Sequence, residues 1–271
     1  MNRKNLPKVS PRIIYAGDRD IAVSVLKFML DSGVRPIALL VSDQKNASHD
    51  VELVKLCSHL KDSQILRGDY FKTKSALRLL QRLNPDYIIC VHFPYIFPEG
   101  VLNIPRYGVL NLHPAFLPFN RGWHTAIWAI WDGGPFGASL HFMDKGLDSG
   151  DIIHQKEIEV YADDTADKLY RRVKKTELKV FQEAWPSIIS GSYLRRPQPV
   201  GKSTAHKKID ISSLQHIDLN KRIKAGELIK RLAALTTNNL DEAAYFKIGE
   251  RVYRVQIKIK KVKRELEDST L

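Results

Sequence analysis

Short apolar runs alternate with helical patterns along the first two thirds of the chain. RIIYAG precedes IAVSVLKFMLDSG, PIALLVSD precedes HDVELVKLCSHL, and QIL precedes KSALRLLQRLN. DYIICVHF then runs into a Pro-punctuated loop before YGVLNLHP. Strand followed by helix, repeated, predicts a parallel sheet covered on both faces. PIALLV and YIICV lack polar alternation, as burial on both faces requires. After TAIWAIWDGG come two more predicted strands, FGASLHFMD and DIIHQKEIEV, and one long amphipathic helix through TADKLYRRVKKTELKVFQEAWPSII. GSYLRRPQPVGKSTAHKK reads as a linker. Beyond it KAGELIKRLAAL predicts a helix and AAYFKIGERVYRVQIKIKK a hairpin turning near Gly249 and Glu250. The expected organisation is an α/β catalytic domain over 1–190, a linker over 191–210, and a small helix-plus-hairpin appendage over 211–271.

Within this pattern VLNLHPAFLPFNRG places two polar side chains where a buried strand usually packs apolar ones. Residues two apart in a strand share a face, so Asn111 and His113 point one way and Leu110 and Leu112 the other. Pro114 removes the next backbone donor and holds His113 extended, which ends the strand there. The pair thus sits at a strand's C-terminal end, the border of the ligand crevice in open parallel sheets. Burying both as core polar groups without partners would be expensive. An amide donor beside an imidazole can hold a developing oxyanion, and an imidazole can pass a proton. Asp148, in the glycine-flanked KGLDSGDII loop between two predicted strands, is the carboxylate best placed to set the imidazole's state.

Composition narrows the class. The 271 residues carry 44% hydrophobic content, enough for a sizeable core. No stretch reaches the roughly 18 uncharged apolar residues of a membrane span, and the polar start MNRKNLPKVS lacks a leader's apolar centre, so a cytoplasmic location is expected. Cys57 and Cys90 lie among apolar neighbours and read as reduced core residues. Of the net charge of +13, residues 191–271 hold +9, with 18 Lys+Arg against 9 Asp+Glu. Charge alone does not choose among a nucleic acid, an anionic small molecule and water as partner of that tail.

Three other features carry less. GKS at Gly201–Ser203 lacks the earlier glycine of a phosphate loop, because Arg196 stands there. His92, His113, His124, His141 and His154 form no close zinc-type ligand pair, and no metal is expected. In YAGDRD one glycine at a strand-to-helix turn could approach a phosphate, and Arg19 reads as a surface residue, with contact to a ligand the lesser alternative.

NLHPAFLPFNRG followed by HFMDKGLDSGDIIHQ resembles the signature of the formyltransferases that use 10-formyltetrahydrofolate, the family of glycinamide ribonucleotide transformylase and methionyl-tRNA formyltransferase. The resemblance spans roughly Arg12 to Ile189 in element order and implies a Rossmann-like parallel-sheet formyltransferase domain. It makes Asn111, His113 and Asp148 the catalytic set, with no metal. It sets the folate against Phe93, Tyr95 and Ile96 and against the stretch carrying His141, Asp144 and Leu147; core packing is the alternative for Phe93 and Tyr95.

FNRG and the ending LAALTTNNLDEAAYFKIGERVYRVQI resemble the sugar N-formyltransferase branch, which acts on nucleotide-linked amino-dideoxy sugars for bacterial surface polysaccharides. That branch implies a homodimer and a nucleotide-sugar site drawing on Asn120, Arg121, Gly122, Trp123, Tyr245 and Phe246, with dTDP-4-amino-4,6-dideoxyglucose as the expected acceptor. Neither nucleic acid nor membrane is an expected partner. The rival acceptor is initiator tRNA, but the tRNA enzymes' tail is an OB-fold, and one helix with one hairpin is thin for a five-stranded barrel. A non-enzymatic RNA-binding reading would need stacking aromatics interleaved with cations. Instead Tyr253, Val255, Ile257 and Ile259 fall on one strand face and Arg254, Lys258 and Lys260 on the other.

Overall fold

The computed structural model describes residues 10–45, 47–199 and 201–262. The stretch Met1–Val9, read above for the absence of a leader, lies outside the described residues, as do 263–271. In chain order the first half comprises β1 (Ile13–Gly17), α1 (Arg19–Asp31), β2 (Ala38–Val41), α2 (Asp50–Leu56), β3 (Ile65–Arg67), α3 (Lys74–Arg82), β4 (Tyr87–Val91), α4 (Glu99–Leu102) and β5 (Gly108–His113). The second half comprises β6 (Arg121–Gly122), α5 (Thr125–Asp132), β7 (Phe136–Phe142), β8 (Ile152–Ile158), α6 (Ala166–Ser190), β9 (Ala205–His206), α7 (Ser212–Gln215), α8 (Ala225–Ala234), β10 (Ala244–Ile248) and β11 (Arg251–Val255).

Seven strands form one sheet in the order β3-β2-β1-β4-β5-β7-β8. The apolar runs divide by alternation between its two faces. Ile13, Tyr15, Leu39, Val41, Ile89, Val91, Leu110 and Leu112 meet α1, α2 and α6, whereas Ile14, Ala16, Leu40, Ile88, Cys90 and Val109 meet α3 and α4. Burial pushes the thiols of Cys57 and Cys90 up to about 12, consistent with inert core cysteines.

The sheet is mixed rather than wholly parallel. Strands β1 to β5 pair in parallel, but β7 runs antiparallel to β5 and β8 antiparallel to β7. For β8 the cause is connection length: a parallel neighbour needs a crossover of a dozen or more residues, and only 143–151 join β7 to β8.

Helix α6 closes one face. Thr165 caps its start by accepting from the Lys168 amide, and Gly191, at φ 64, ends it. Its buried stripe runs Leu169, Val173, Glu177, Val180, Phe181, Ala184 and Ile188, so one carboxylate occupies an apolar position.

The segment expected to be a linker is docked. Arg196 exchanges backbone hydrogen bonds with Ile152 at 2.8 and 3.0 Å, and β9 pairs in parallel with β6. The appendage also joins the main body, because α8 packs against α5 while Ala234, Leu235 and Ala244 enter the large core. Its hairpin turns at Gly249 and Glu250 as expected, but β11 stops at Val255, leaving Ile257 and Ile259 beyond the strand. Arg254 is exposed and also braces the hairpin, donating to the carbonyls of Asp241 (3.0 Å) and Ala243 (2.9 Å). No helix among the described residues is long and apolar enough to cross a membrane.

Phe181 joins α6 to α1, edge-on to Phe28 at 6.1 Å and stacked on Trp185 at 5.2 Å. Phe181→Ala is expected to cost about 3–5 kcal/mol of unfolding free energy, read from urea denaturation. An unchanged midpoint would show that this contact does not hold the two helices together.

Candidate active site

Strand β5 delivers Asn111 and His113 to the end of the sheet. Both lie on the α3 side of the alternation, among few apolar neighbours, and both line a cavity of about 860 Å³ at the C-terminal ends of the strands. The loop after β7 carries Asp148 to the same place in a left-handed backbone conformation, φ 47. Asn111 Nδ2 donates to Asp148 Oδ1 at 3.3 Å, and His113 Nε2 stands 3.5 Å from Asp148 Oδ2. The backbone amide of Gly122 donates to that same Oδ2 at 2.9 Å.

Electrostatics follow from this packing. Burial alone would raise the Asp148 carboxyl, but the His113 imidazole and the Gly122 amide hold it well below its ordinary value. Burial lowers the pKa of His113 below its ordinary 6.5, and the Asp148 charge only partly restores it. The site therefore presents a neutral imidazole beside a carboxylate at neutral pH.

His141 is fully buried behind this set. Its Nδ1 faces the Phe142 carbonyl at 2.8 Å, which assigns the proton there and leaves Nε2 to accept from Asn111 Nδ2 at 3.2 Å. Both amide hydrogens of Asn111 are thereby directed, one by His141 and one by Asp148.

The strap 196–206 locks the two loops that meet at Asp148. Gln198 Nε2 donates to the carbonyls of Asp148 and Gly150, each at 2.8 Å, while its Oε1 accepts from Arg121 at 2.6 and 3.2 Å. Gly122, at φ 90, pairs with His206 so closely that a Cβ would strike the His206 carbonyl oxygen. The His206 ring stacks on Trp128 at 3.7 Å and bonds Asp132 at 2.7 Å, anchoring the strap to α5.

The remaining expected residues divide. Phe93, Tyr95, Ile96, Asp144, Leu147, Gly122 and Trp123 line the cavity. Phe93 also packs against Phe71 at 5.5 Å, so it serves both the core and the cavity. His141, expected against the folate, does not reach the cavity, being sealed beneath Asn111. Asn120 and Arg121, expected on the acceptor, do not line it either. Asn120 is buried and offers its backbone oxygen to His113 Nε2 at 3.4 Å, and the Arg121 guanidinium is turned to Gln198. Tyr245 and Phe246 are likewise absent from the lining. Tyr245 lies under Arg254, and Phe246 stacks on Tyr253 at 5.3 Å. The appendage instead contributes Thr237, Asn238, Asn239 and Glu242. Arg19, His92, His124, Tyr170 and Lys208 also line the cavity and were not read as site residues from the sequence. No group of three His, Cys, Asp or Glu able to hold a metal occurs among the described residues.

Because the folded pKa of Asp148 is depressed, its ionised form stabilises the fold above the ordinary carboxylate value, and that contribution is lost as pH falls below it. The stability gap between the protein and Asp148→Asn should therefore narrow on acidification from pH about 7 to 3, followed by urea unfolding. A gap independent of pH would contradict the assignment.

The family described as formyl transferase matches residues 13–185, and the N-formyltransferase dimerization C-terminal domain matches 210–261. The chain is 31% identical over 172 residues to a dTDP-4-amino-4,6-dideoxyglucose formyltransferase of Mycobacterium tuberculosis, covering 64% of this chain and 72% of that protein. It is 29% identical over 197 residues to a methionyl-tRNA formyltransferase of Geobacillus thermodenitrificans, covering 71% of this chain but spanning only 62% of the relative's length. The crystal structure of a sugar N-formyltransferase from Shewanella superposes with a TM-score of 0.79 at 20% identity, covering 93% of this chain and 99% of that one. With the formyl transferase family matched over residues 13–185, more than half of its length, the chain belongs to that family.

Proposed function

We propose that this protein transfers a formyl group from 10-formyltetrahydrofolate to the amino group of a nucleotide-linked amino-dideoxy sugar, with dTDP-4-amino-4,6-dideoxyglucose the leading acceptor, in the synthesis of surface polysaccharide. The observation carrying this reading is the convergence of Asn111, His113 and Asp148 on one cavity whose rim is completed by the C-terminal segment. The cavity fits a folate: Ile96 is 83% exposed and Leu147 48%, and both line it with Phe93 and Tyr95, an apolar surface suited to a flat heteroaromatic ring.

The folate supplies the formyl group, and the chain supplies orientation, charge stabilisation and proton movement. The new bond joins the acceptor nitrogen to the formyl carbon as the folate nitrogen–carbon bond breaks, and one proton moves from the first nitrogen to the second. Asn111 donates to the oxygen on which charge develops, releasing the longer of its two bonds, the 3.3 Å contact to Asp148. His113, neutral through burial, accepts the amine proton, and Asp148 stabilises the imidazolium that results.

A sugar acceptor is favoured over initiator tRNA by the appendage. It has a helix and a two-stranded hairpin rather than a barrel, and it gives the cavity Asn238, Asn239 and Glu242, polar groups of a small-molecule site. Ile248 and Val252 leave the hairpin exposed, and pairing with a second copy would cover it, in keeping with the dimerization domain matched over 210–261. In this reading neither nucleic acid nor membrane takes part.

The test supplies 10-formyltetrahydrofolate with a panel of nucleotide amino sugars and initiator tRNA. Formyl transfer to a sugar is the expected result, and transfer to tRNA alone overturns the reading. Asn111→Ala, His113→Asn and Asp148→Asn should each lower turnover by about a hundredfold or more without loss of folding. Gln198→Ala should lower kcat about tenfold to a hundredfold, because the Asp148 loop loses its clamp, while Gln198→Glu keeps the Arg121 contact and should not restore it. Wild-type kcat in Gln198→Ala would remove the strap from the account.

A further inference from the structure

The strand order reverses at β1, with β2 and β3 on one side and β4 and β5 on the other. Chain segments leaving β1 and β4 diverge there, and such a reversal opens a ligand crevice. Arg19 follows β1 and His92 follows β4, and both adopt the left-handed backbone, at φ 68 and φ 53. That conformation is uncommon for bulky residues and carries strain of about 1–3 kcal/mol. It has a geometric result. Ile88 and Cys90 face the α3 side, and an extended His92 would follow them, yet its imidazole bonds Glu177 on α6, across the sheet.

From Arg19 a single chain of hydrogen bonds runs inward. Arg19 Nη1 donates to the Tyr170 hydroxyl oxygen at 3.1 Å. A guanidinium can only donate, so the Tyr170 hydroxyl hydrogen goes to His92 Nδ1, 3.1 Å away, and His92 Nε2–H donates to Glu177 Oε1 at 2.7 Å. Every donor meets an acceptor when His92 is neutral and Glu177 is a carboxylate. Glu177 is wholly buried, and its Oε2 has no partner among the described residues. An apolar residue on that stripe would pack at lower cost, so stability does not explain the carboxylate. The cation at the far end of the chain is Arg19, which lines the cavity and has no other side-chain hydrogen bond among the described residues.

Other free positive charge lies beside it. Lys208 lines the cavity with its Nζ 5.3 Å from the Trp123 ring centre, and forms no ion pair among the described residues. His124, whose pKa burial lowers, lies 3.6 Å from Glu242 and adds no free charge, and Glu242 is within electrostatic reach of Arg19 as well. The lysines around the apolar folate surface are already engaged: Lys145 pairs with Glu99 at 2.8 Å, and Lys72 pairs with Asp69. Uncommitted cations thus concentrate where β1 ends and the C-terminal segment closes the cavity.

We infer that Arg19 is the residue that reads the diphosphate of the acceptor, with Glu177, His92 and Tyr170 as positioning residues that fix its guanidinium at the strand reversal. The inference rests on the nucleotide-sugar reading above. A planar fork held by one N–H presents its remaining donors to two phosphate oxygens, and Lys208 adds a point charge. The folate's carboxylates are the other anionic source, and the test separates the two.

The test titrates the full chain by calorimetry with dTDP, UDP and GDP, with the matching nucleosides, and with 5-formyltetrahydrofolate as the folate probe. The wild type should bind at least one diphosphate more tightly than its nucleoside. Arg19→Ala should weaken that diphosphate about tenfold to a hundredfold and leave nucleoside and folate affinities within about twofold. Tyr170→Phe keeps the ring packing but breaks the chain, and should weaken the diphosphate about threefold to tenfold. In turnover assays both variants should raise KM for the nucleotide sugar while kcat at saturation holds, and unchanged thermal unfolding shows that the fold is intact. Undiminished diphosphate binding in Arg19→Ala overturns the inference and leaves the function standing. Weakened folate binding in its place assigns Arg19 to the folate and also overturns it. A wild type that binds none of the diphosphates overturns both the inference and the reading beneath it.

Discussion

The site depends on keeping one ionised carboxylate, Asp148, out of water. A buried charge is tolerated only when donors surround it, and here they arrive from two separate segments. Asn111 and the His113 imidazole come from β5, and the Gly122 amide from β6. Each donor constrains its own segment. The antiparallel return of β7 beside β5 brings the Asp148 loop back to the strand end, and the strap through Gln198 and His206 fixes the loops against each other. The strap is thus part of the site's architecture.

Much of this was legible from the chain. Uninterrupted apolar runs announced strands buried on both faces, and the two-residue spacing of Asn111 and His113 ahead of Pro114 announced a polar pair at a strand end. Turn-rich sequence between β7 and β8 could have announced antiparallel pairing, since 143–151 leave no room for a crossover. FNRG reads as ligand-facing because it is a polar loop beside the strand end carrying Asn111 and His113; Gly122 does line the cavity, whereas Asn120 turns inward and Arg121 meets a strap residue distant in sequence. Such long-range pairing leaves no local signal.

Glu177 did leave one. The stripe Leu169, Val173, Glu177, Phe181 follows the period of an α-helix, and a carboxylate at the centre of an apolar stripe must meet a buried partner. Its partner, His92, could be taken for one of several scattered histidines. Only the left-handed turn after β4, which aims the imidazole across the sheet, brings the two together at the strand reversal. Local backbone strain, a buried charge and a cavity-facing cation coincide there. Strain of this kind collects where function requires a fixed geometry.

The central claim is that burial keeps His113 neutral while the Asp148 charge opposes that shift, and site-resolved NMR titration of the imidazole in the full chain tests it most directly. His113 should titrate below its ordinary 6.5 in the wild type and lower still in Asp148→Asn, because burial remains and the opposing charge is gone. A His113 that titrates at the same pH in both proteins, or higher in the variant, would contradict the account.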